Sequence, residues 1–100
     1  MKYLIIGRLS EKLPLEKGEE LNRTSMEWIE KRINDGIIDC HHIFIDNSGG
    51  MVISNAKSHE ELSNDLVTYP MSPYFKWEII PLCDWKQHYE FYINLYKNKR

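Results

Sequence analysis

The chain has 100 residues, of which 42% are hydrophobic and 28% charged, a balance typical of one globular domain rather than a disordered or fibrous chain. Its net charge is −2 and its pI is about 6.1, so it lacks the basic surface typical of nucleic-acid binding. No apolar run approaches the roughly 20 residues of a membrane span, which argues against a membrane protein.

Targeting signals and thiols bear on where the protein works. The opening segment MKYLIIG is too short for a signal peptide and predicts a first strand instead. The two cysteines, Cys40 and Cys83, are far apart and lack the spacing of a metal site. We therefore expect reduced thiols and a cytoplasmic protein. The clustered positive charge of Lys97, Lys99 and Arg100 predicts a solvated end rather than a binding arm.

The first two predicted elements, a strand and a helix, differ in the spacing of their apolar residues. Residues 2 to 9, KYLIIGRL, are rich in β-forming residues and predict a strand. From residue 15 to 35 the pattern steps by four, as one face of a helix does, through Leu21, Ser25, Ile29 and Ile33, with Trp28 beside them. Gly36 is placed to end this helix in the left-handed conformation.

A hairpin, a short helix and a fourth strand follow. IIDCHHIFI (37 to 45) and MVISNA (51 to 56) predict strands two and three, joined by the turn cluster DNSGG. Ser58 and Glu61 form an S-x-x-E capping box that begins the short helix. Two prolines end that helix, and YFKWEII (74 to 80) predicts the fourth strand.

The predicted order β-α-β-β-α-β is the ferredoxin-like α+β pattern, a four-stranded antiparallel sheet with both helices on one face. The strands are nevertheless apolar on both sides: Phe75, Trp77 and Ile79 share one side of strand four, and Ile80 lies on the other. Such runs indicate that both faces are buried. We therefore expect a homodimer or larger homo-oligomer whose helix-free faces pack together, the alternative being a well-covered sheet in a monomer.

A further helix is predicted from 84 to 97, as an addition to a single domain spanning 1 to 100. Asp84 and Gln87 form a D-x-x-Q cap. Apolar residues then recur at helical spacing, mainly Trp85, Tyr89, Tyr92, Ile93 and Tyr96. Because so broad an aromatic face is rarely left in water, we expect it to pack on its own sheet edge or on a neighbouring subunit.

The segment SHEELSNDLVTYPMSPYFKWEIIPLC (58 to 83) resembles the muconolactone isomerase family. The matching residues are Ser58, Glu60, Leu62, Leu66, Pro70, Pro73, Tyr74, Glu78, Leu82 and Cys83, with Arg8 before Lys12-Leu13-Pro14 in the first strand region. The resemblance implies a dimeric α+β barrel, often assembled into larger rings, and cofactor-free isomerisation of a small lactone by proton transfer. The chain departs from the family in its longer, more aromatic C-terminal helix and in Cys40-His41-His42 of strand two.

His41 and His42 are adjacent on a strand, so their side chains point to opposite faces and do not share one metal ion. No metal site is expected. The histidine that faces the interior is either a hydrogen-bonded core residue or a general base, because an unperturbed pKa of about 6.5 suits proton transfer.

Arg8 and Glu78 lie on neighbouring antiparallel strands of the predicted sheet and face the same way. One interpretation is a structural ion pair. In the other, Arg8 holds the carboxylate of a small acid through two hydrogen bonds, while Glu78 or a histidine moves the proton.

Pro70 and Pro73 make a rigid bend flanked by Tyr69 and Tyr74. The bend is either a stiff connector or one wall of a pocket to which Tyr74 supplies a hydroxyl group.

The sequence thus predicts an isomerase-like protein, with cofactor-free proton transfer on a small organic acid or lactone. The candidate catalytic residues are His41, His42, Tyr74 and Glu78, and the candidate substrate-binding residues are Arg8 and Tyr69. The alternatives are a non-catalytic small-molecule-binding or assembly protein of the same barrel class, and a cofactor-independent monooxygenase. A polar pocket holding a histidine and Arg8 would favour the enzyme, whereas a pocket filled by Tyr3, Phe75 and Trp77 would favour the binding protein.

Overall fold

The computed structural model describes residues 1–98, whose helices and strands follow the predicted βαββαβ order with one further helix. The elements are β1 (Lys2–Leu9), a 3₁₀ turn (Leu15–Lys17), α1 (Gly18–Asn34), β2 (Ile38–Ile43), β3 (Gly49–Asn55), α2 (His59–Leu66), a second 3₁₀ turn (Ser72–Tyr74), β4 (Phe75–Leu82) and α3 (Trp85–Lys97). Lys99 and Arg100, part of the expected basic end, lie outside the described residues. None of the helices within 1–98 is long and apolar enough to cross a membrane.

The four strands form one antiparallel sheet in the order β2-β3-β1-β4, with α1 and α2 on one side of it. Side chains alternate along each strand, so the odd-numbered residues of β1 face the helices and the even-numbered residues face away. Tyr3 and Ile5 are each 1% exposed and pack against Leu62 and Leu66 of α2, where the core is tightest. This is the ferredoxin-like α+β architecture that the order of elements predicted.

Local hydrogen bonds set the ends of the helices as the sequence suggested. The Ser58 hydroxyl accepts a hydrogen bond of 3.1 Å from the Glu61 N–H at the start of α2. The Asp84 carboxylate accepts one of 2.9 Å from the Gln87 N–H at the start of α3. Gly36, with φ of +75°, ends α1 in the left-handed region that a glycine adopts without strain.

The turn of the β2–β3 hairpin lies two residues earlier in the chain than the sequence predicted. β2 ends earlier than predicted, because the Phe44 N–H donates to the Gly49 carbonyl at 2.8 Å and the chain turns at Asn47, whose φ is 61°. Gly49 and Gly50, expected in the turn, instead begin β3. A β-carbon on Gly49 would lie 1.9 Å from the carbonyl oxygen of Gly7, so the two strands approach too closely for any side chain there.

The side of the sheet away from α1 and α2, which we call the helix-free face, carries an apolar strip. It is formed by Leu4 and Ile6 of β1, Ile53 of β3, and Ile80 and Leu82 of β4. Ile80 and Leu82 are 39% and 38% exposed, and no element within residues 1–98 covers the strip. A single chain therefore does not bury both faces of its sheet.

Helix α3 stands apart from the rest of the chain and gives the molecule its long dimension, 65 Å against 28 and 21 Å. Every α3 residue except the half-buried Leu95 is exposed, with Trp85 at 71% and Tyr96 at 67%. The expectation that α3 packs on its own sheet edge is therefore not met. Contact with a neighbouring subunit is the remaining alternative.

Candidate functional site

A cavity of about 420 Å³ lies between the sheet and helices α1 and α2. Its volume is in the range of small-molecule binding sites. The wall is mostly apolar and contains few polar side chains. Its principal members are the aromatic Trp28, Tyr69, Phe75 and Trp77, the methionines Met26 and Met71, and the polar Asn22, Ser25 and His41.

Two glycines form the floor of the cavity. Gly7 of β1 and Gly50 of β3 are directly opposite each other in the sheet, and both are buried. A β-carbon on Gly7 would lie 2.7 Å from the rings of both Phe75 and Trp77. The absence of a side chain at Gly7 therefore lets these rings lie directly over the backbone of β1.

Tyr69 is the centre of an aromatic cluster on one wall. Its ring centroid lies 5.2 Å from that of Trp28, 5.7 Å from that of Phe75 and 5.8 Å from that of Trp77, with interplanar angles of 63–65°. These are favourable edge-to-face arrangements, which hold the Tyr69 ring in place. Tyr69 immediately precedes Pro70, so the proline-containing bend does supply one wall of the cavity.

A polar clamp at the edge of the cavity ties α1 to the end of α2. Arg32 donates two hydrogen bonds to the Asp65 carboxylate, of 2.9 and 2.6 Å. The Arg32 guanidinium also lies 3.6 Å from the centroid of the Trp28 ring, whose Nε1–H donates to the Thr68 hydroxyl at 2.9 Å. Trp28 is thus held from both sides as part of the wall.

His41 lies on the wall with a defined tautomer. In β2 it is opposite Val52 and faces the helices. Its Nδ1 lies 3.2 Å from the Met51 carbonyl oxygen. Because a carbonyl oxygen only accepts hydrogen bonds, Nδ1 is the ring nitrogen that carries a proton in this contact, and Nε2 is the nitrogen available to accept one. That is the form in which histidine acts as a base.

Ser25 and Tyr69 contribute two hydroxyl groups with little hydrogen bonding of their own. The Ser25 hydroxyl is buried and has no hydrogen-bond partner among residues 1–98. Over the same residues, the hydrogen-bond partner of the Tyr69 hydroxyl is the Met71 sulfur alone, at 3.8 Å. Burial raises the pKa of Tyr69, and the nearby Ser25 hydroxyl opposes that rise, although the two groups do not meet the geometry of an ordinary hydrogen bond.

The sheet separates the predicted site residues into two groups. His41 and Tyr69 line the cavity. Arg8, His42 and Glu78 lie on the helix-free face, where the Arg8 Nη1 is 3.8 Å from the Glu78 Oε1. Both side chains of that ion pair are about half exposed, at 56% and 51%. Any chemistry by this second group would take place on the opposite side of the sheet from the cavity.

Tyr74 is half-buried and does not line the cavity. Its carbonyl oxygen accepts a 2.8 Å bond from the Ser10 N–H and a 3.1 Å bond from the Ser10 hydroxyl, which ties the proline-containing bend to the end of β1. Within residues 1–98 no three His, Cys, Asp or Glu side chains are grouped as metal ligands would be.

Sequence reasoning missed several residues that shape the cavity. Ser25 was assigned to the buried stripe of α1, and Gly50 to a turn. The available signals were a hydroxyl residue within an otherwise apolar stripe and glycines inside strands, which mark close approach or missing side-chain volume. Neither signal identifies a cavity until the strand register is known.

Solved structures of other proteins share this fold, and a muconolactone isomerase and a dehydrochlorinase are two of them. Muconolactone isomerase matches with a TM-score of 0.76 and 17% identity, over 84% of this chain and 90% of that one. The 5-chloro-2-hydroxyhydroquinone dehydrochlorinase TftG from Burkholderia phenoliruptrix AC1100, solved in complex with 2,5-dihydroxybenzoquinone, matches with a TM-score of 0.68 and 16% identity, over 87% of this chain and 98% of that one. No family model matches the sequence, and neither does any curated protein. The resemblance to muconolactone isomerase is thus confirmed for the fold: the chain has the ferredoxin-like α+β fold of that enzyme.

Proposed function

We propose that the protein is a cofactor-free proton-transfer enzyme that isomerises a small cyclic carbonyl compound, such as an unsaturated lactone, in the cavity. The observation that carries this proposal is His41, a base of defined tautomer on the wall of a largely apolar cavity. The names of the two structural neighbours, an isomerase and a dehydrochlorinase, are consistent with small-molecule chemistry on this fold.

The proposed reaction needs only a base and a hydrogen-bond donor. The Nε2 of His41 removes a proton from a carbon next to the carbonyl group, and the electron pair moves onto the carbonyl oxygen. Tyr69 donates a hydrogen bond to that oxygen, an interaction strengthened by the low dielectric of the cavity. The imidazolium then returns the proton to a different carbon, so the double bond moves and no atom is gained or lost.

The test is the isomerisation of α-angelica lactone, followed by proton NMR in D₂O. We expect double-bond migration with deuterium incorporation, slowed about 100-fold or more by His41→Asn, since a general base contributes roughly 10² to 10⁴ in rate. His42→Asn is the matched control, because His42 lies on the opposite face of the sheet. Turnover that survives His41→Asn would contradict the assignment of the base.

A non-catalytic binding protein is the second candidate, favoured by the apolar character of the cavity wall. Phe75 and Trp77 line this wall without filling the cavity, and Tyr3 lies in the core beneath α2. The same experiment separates the two functions. Saturable binding of lactones without any turnover above the buffer rate would support the binding protein.

The proposed assembly is a homodimer, or a larger homo-oligomer, joined through the helix-free face. The apolar strip on that face is exposed in one chain, and a second copy presents an identical strip. The exposed aromatic face of α3 would pack on the neighbouring subunit in the same assembly. Chemistry by Arg8, His42 or Glu78 stays a prediction, and it would take place at that interface.

A further inference from the structure

The geometry points to an uncharged, flat, cyclic compound as the ligand of the cavity, its carbonyl or hydroxyl oxygen held by the hydroxyl groups of Ser25 and Tyr69 together. This inference rests on the proposed function, because it names the class of substrate for the same cavity. The sequence left both a small organic acid and a lactone open as substrates. This inference selects a neutral lactone or phenol over an organic acid.

The Ser25 hydroxyl is the first observation. Ser25 is 5% exposed, lines the cavity and has no hydrogen-bond partner in residues 1–98. A serine inside a helix usually satisfies itself by donating to the carbonyl four residues earlier. The adjacent Thr24 does so, to the Glu20 carbonyl at 2.8 Å, whereas Ser25 does not. Since buried hydroxyls in native proteins are normally hydrogen-bonded, this one has the position of a group whose partner is a ligand.

The Tyr69 hydroxyl is the second observation. Its only partner within residues 1–98 is the Met71 sulfur at 3.8 Å, a weak acceptor. Burial raises the pKa of Tyr69, so its phenol stays protonated and able to donate at neutral pH. Two neighbouring hydroxyls can both donate to one carbonyl oxygen, or one can accept from a ligand hydroxyl while the other donates.

The charges around the cavity determine that the ligand is neutral. No lysine or arginine in residues 1–98 lines the cavity, and its charged side chains are Glu30 and Asp65. Asp65 is already paired with Arg32, which does not itself line the cavity. A carboxylate ligand would therefore lose its hydration without gaining a cationic partner, unless His41 were protonated and no longer a base. Arg8, the cation predicted to bind an acid, is on the other face.

The shape of the cavity determines that the ligand is flat. Gly7 and Gly50 present no side chain on two adjacent strands of the floor. The rings of Phe75 and Trp77, with centroids 5.5 Å apart, lie over the Gly7 backbone and offer aromatic surfaces to a ligand. A planar ring lies against backbone and aromatic surfaces with little loss of contact, whereas a branched, saturated ligand would not.

The test compares coumarin, a flat neutral lactone, with coumarin-3-carboxylate, the same ring system bearing a negative charge. Binding of each to the full chain is measured by isothermal titration calorimetry. We expect coumarin to bind at least tenfold more tightly than the carboxylate. Ser25→Ala and Tyr69→Phe should each weaken coumarin binding about fivefold or more. Thr24→Ala is the matched control, since that hydroxyl is bonded within its own helix, and it should leave binding unchanged.

The outcomes keep this inference separate from the proposed function. Equal or tighter binding of the carboxylate, an unchanged affinity in Ser25→Ala, or no detectable binding of either compound at millimolar concentration would each overturn it. If coumarin binds as expected while no lactone is turned over, the proposed enzyme fails and the ligand class stands. If His41-dependent turnover is found only for carboxylated lactones, the enzyme stands and the ligand class fails.

Discussion

Ser25 shows how one side chain can favour binding while weakening the fold. Its hydroxyl is buried beside a cavity without a hydrogen-bond partner in residues 1–98. Such an unsatisfied group costs about 1–3 kcal/mol relative to hydration in the unfolded chain. An alanine at the same position on α1 would keep the helix and remove that cost.

We therefore expect Ser25→Ala to raise the free energy of unfolding by about 1 kcal/mol, which corresponds to a melting temperature higher by roughly 4–8 °C in a chain of this size. Urea and thermal unfolding followed by circular dichroism measure the change. Thr24→Ala, which removes a bonded hydroxyl on the same helix, should give no such gain. A less stable Ser25→Ala variant would mean that the hydroxyl has a partner in the folded protein.

Tyr69 gives a pH dependence whose sign follows from its environment. Burial raises its pKa above the value of 10.0 for a free phenol, so the folded state holds the proton more tightly than the unfolded state does. Its contribution to stability is complete below pH 10 and is lost as the pH rises through the folded-state pKa. Urea titrations at alkaline pH should show a smaller loss of stability above pH 10 in Tyr69→Phe than in the wild type. Equal losses in the two proteins would contradict the raised pKa.

At the level of elements, the sequence predicted what depends on local chemistry. The caps at Ser58 and Asp84 and the left-handed Gly36 depend on residues within a few positions of each other, so they are readable without a fold. The opposition of Gly7 and Gly50 depends on the register of β1 against β3, which pairs residues far apart in the chain. For this reason the fold was predictable and the cavity was not.

Gly7→Ala tests whether the glycine floor creates the cavity. The added β-carbon would lie 2.7 Å from the Phe75 and Trp77 rings, which must then move. We expect the free energy of unfolding to fall by about 1–3 kcal/mol, as for other overpacked cores, and ligand affinity to fall with it. Gly18→Ala is the matched control, since its β-carbon would meet nothing within 4 Å in residues 1–98 apart from its chain neighbours and its own helix backbone, and stability there should stay level or rise slightly. A Gly7→Ala variant with full stability and full ligand binding would show that a glycine at this position is not essential for the cavity.

At the level of the whole molecule, alternation along the strands predicted that His41 and His42 face opposite ways, without indicating which side carries the cavity. Helices on one side of the sheet assign His41 to the cavity and leave His42 with Arg8 and Glu78 on the other. The sequence also did not predict where α3 packs. An amphipathic helix indicates that it has an apolar partner, but it does not identify that partner. The contact surface of α3 and the surroundings of His42 both depend on what covers the helix-free face.

We expect light scattering to give a mass of at least twice the chain's 12.0 kDa. Ile80→Glu should shift the mass toward that of one chain, because a charge on the helix-free face would be buried without a partner. Val67→Glu, at a position 71% exposed beyond the end of α2, is the matched control and should keep the assembly. A wild-type mass near 12.0 kDa at micromolar concentration would reject the assembly.

The most direct test of the account is a crystal structure of the protein soaked with coumarin. The account predicts the ring between the sheet and α1, against the rings of Phe75 and Trp77, with its carbonyl oxygen within hydrogen-bond distance of the Ser25 and Tyr69 hydroxyls and with His41 beside it. Ligand density on the helix-free face beside Arg8 and Glu78, with the cavity left empty, would contradict it.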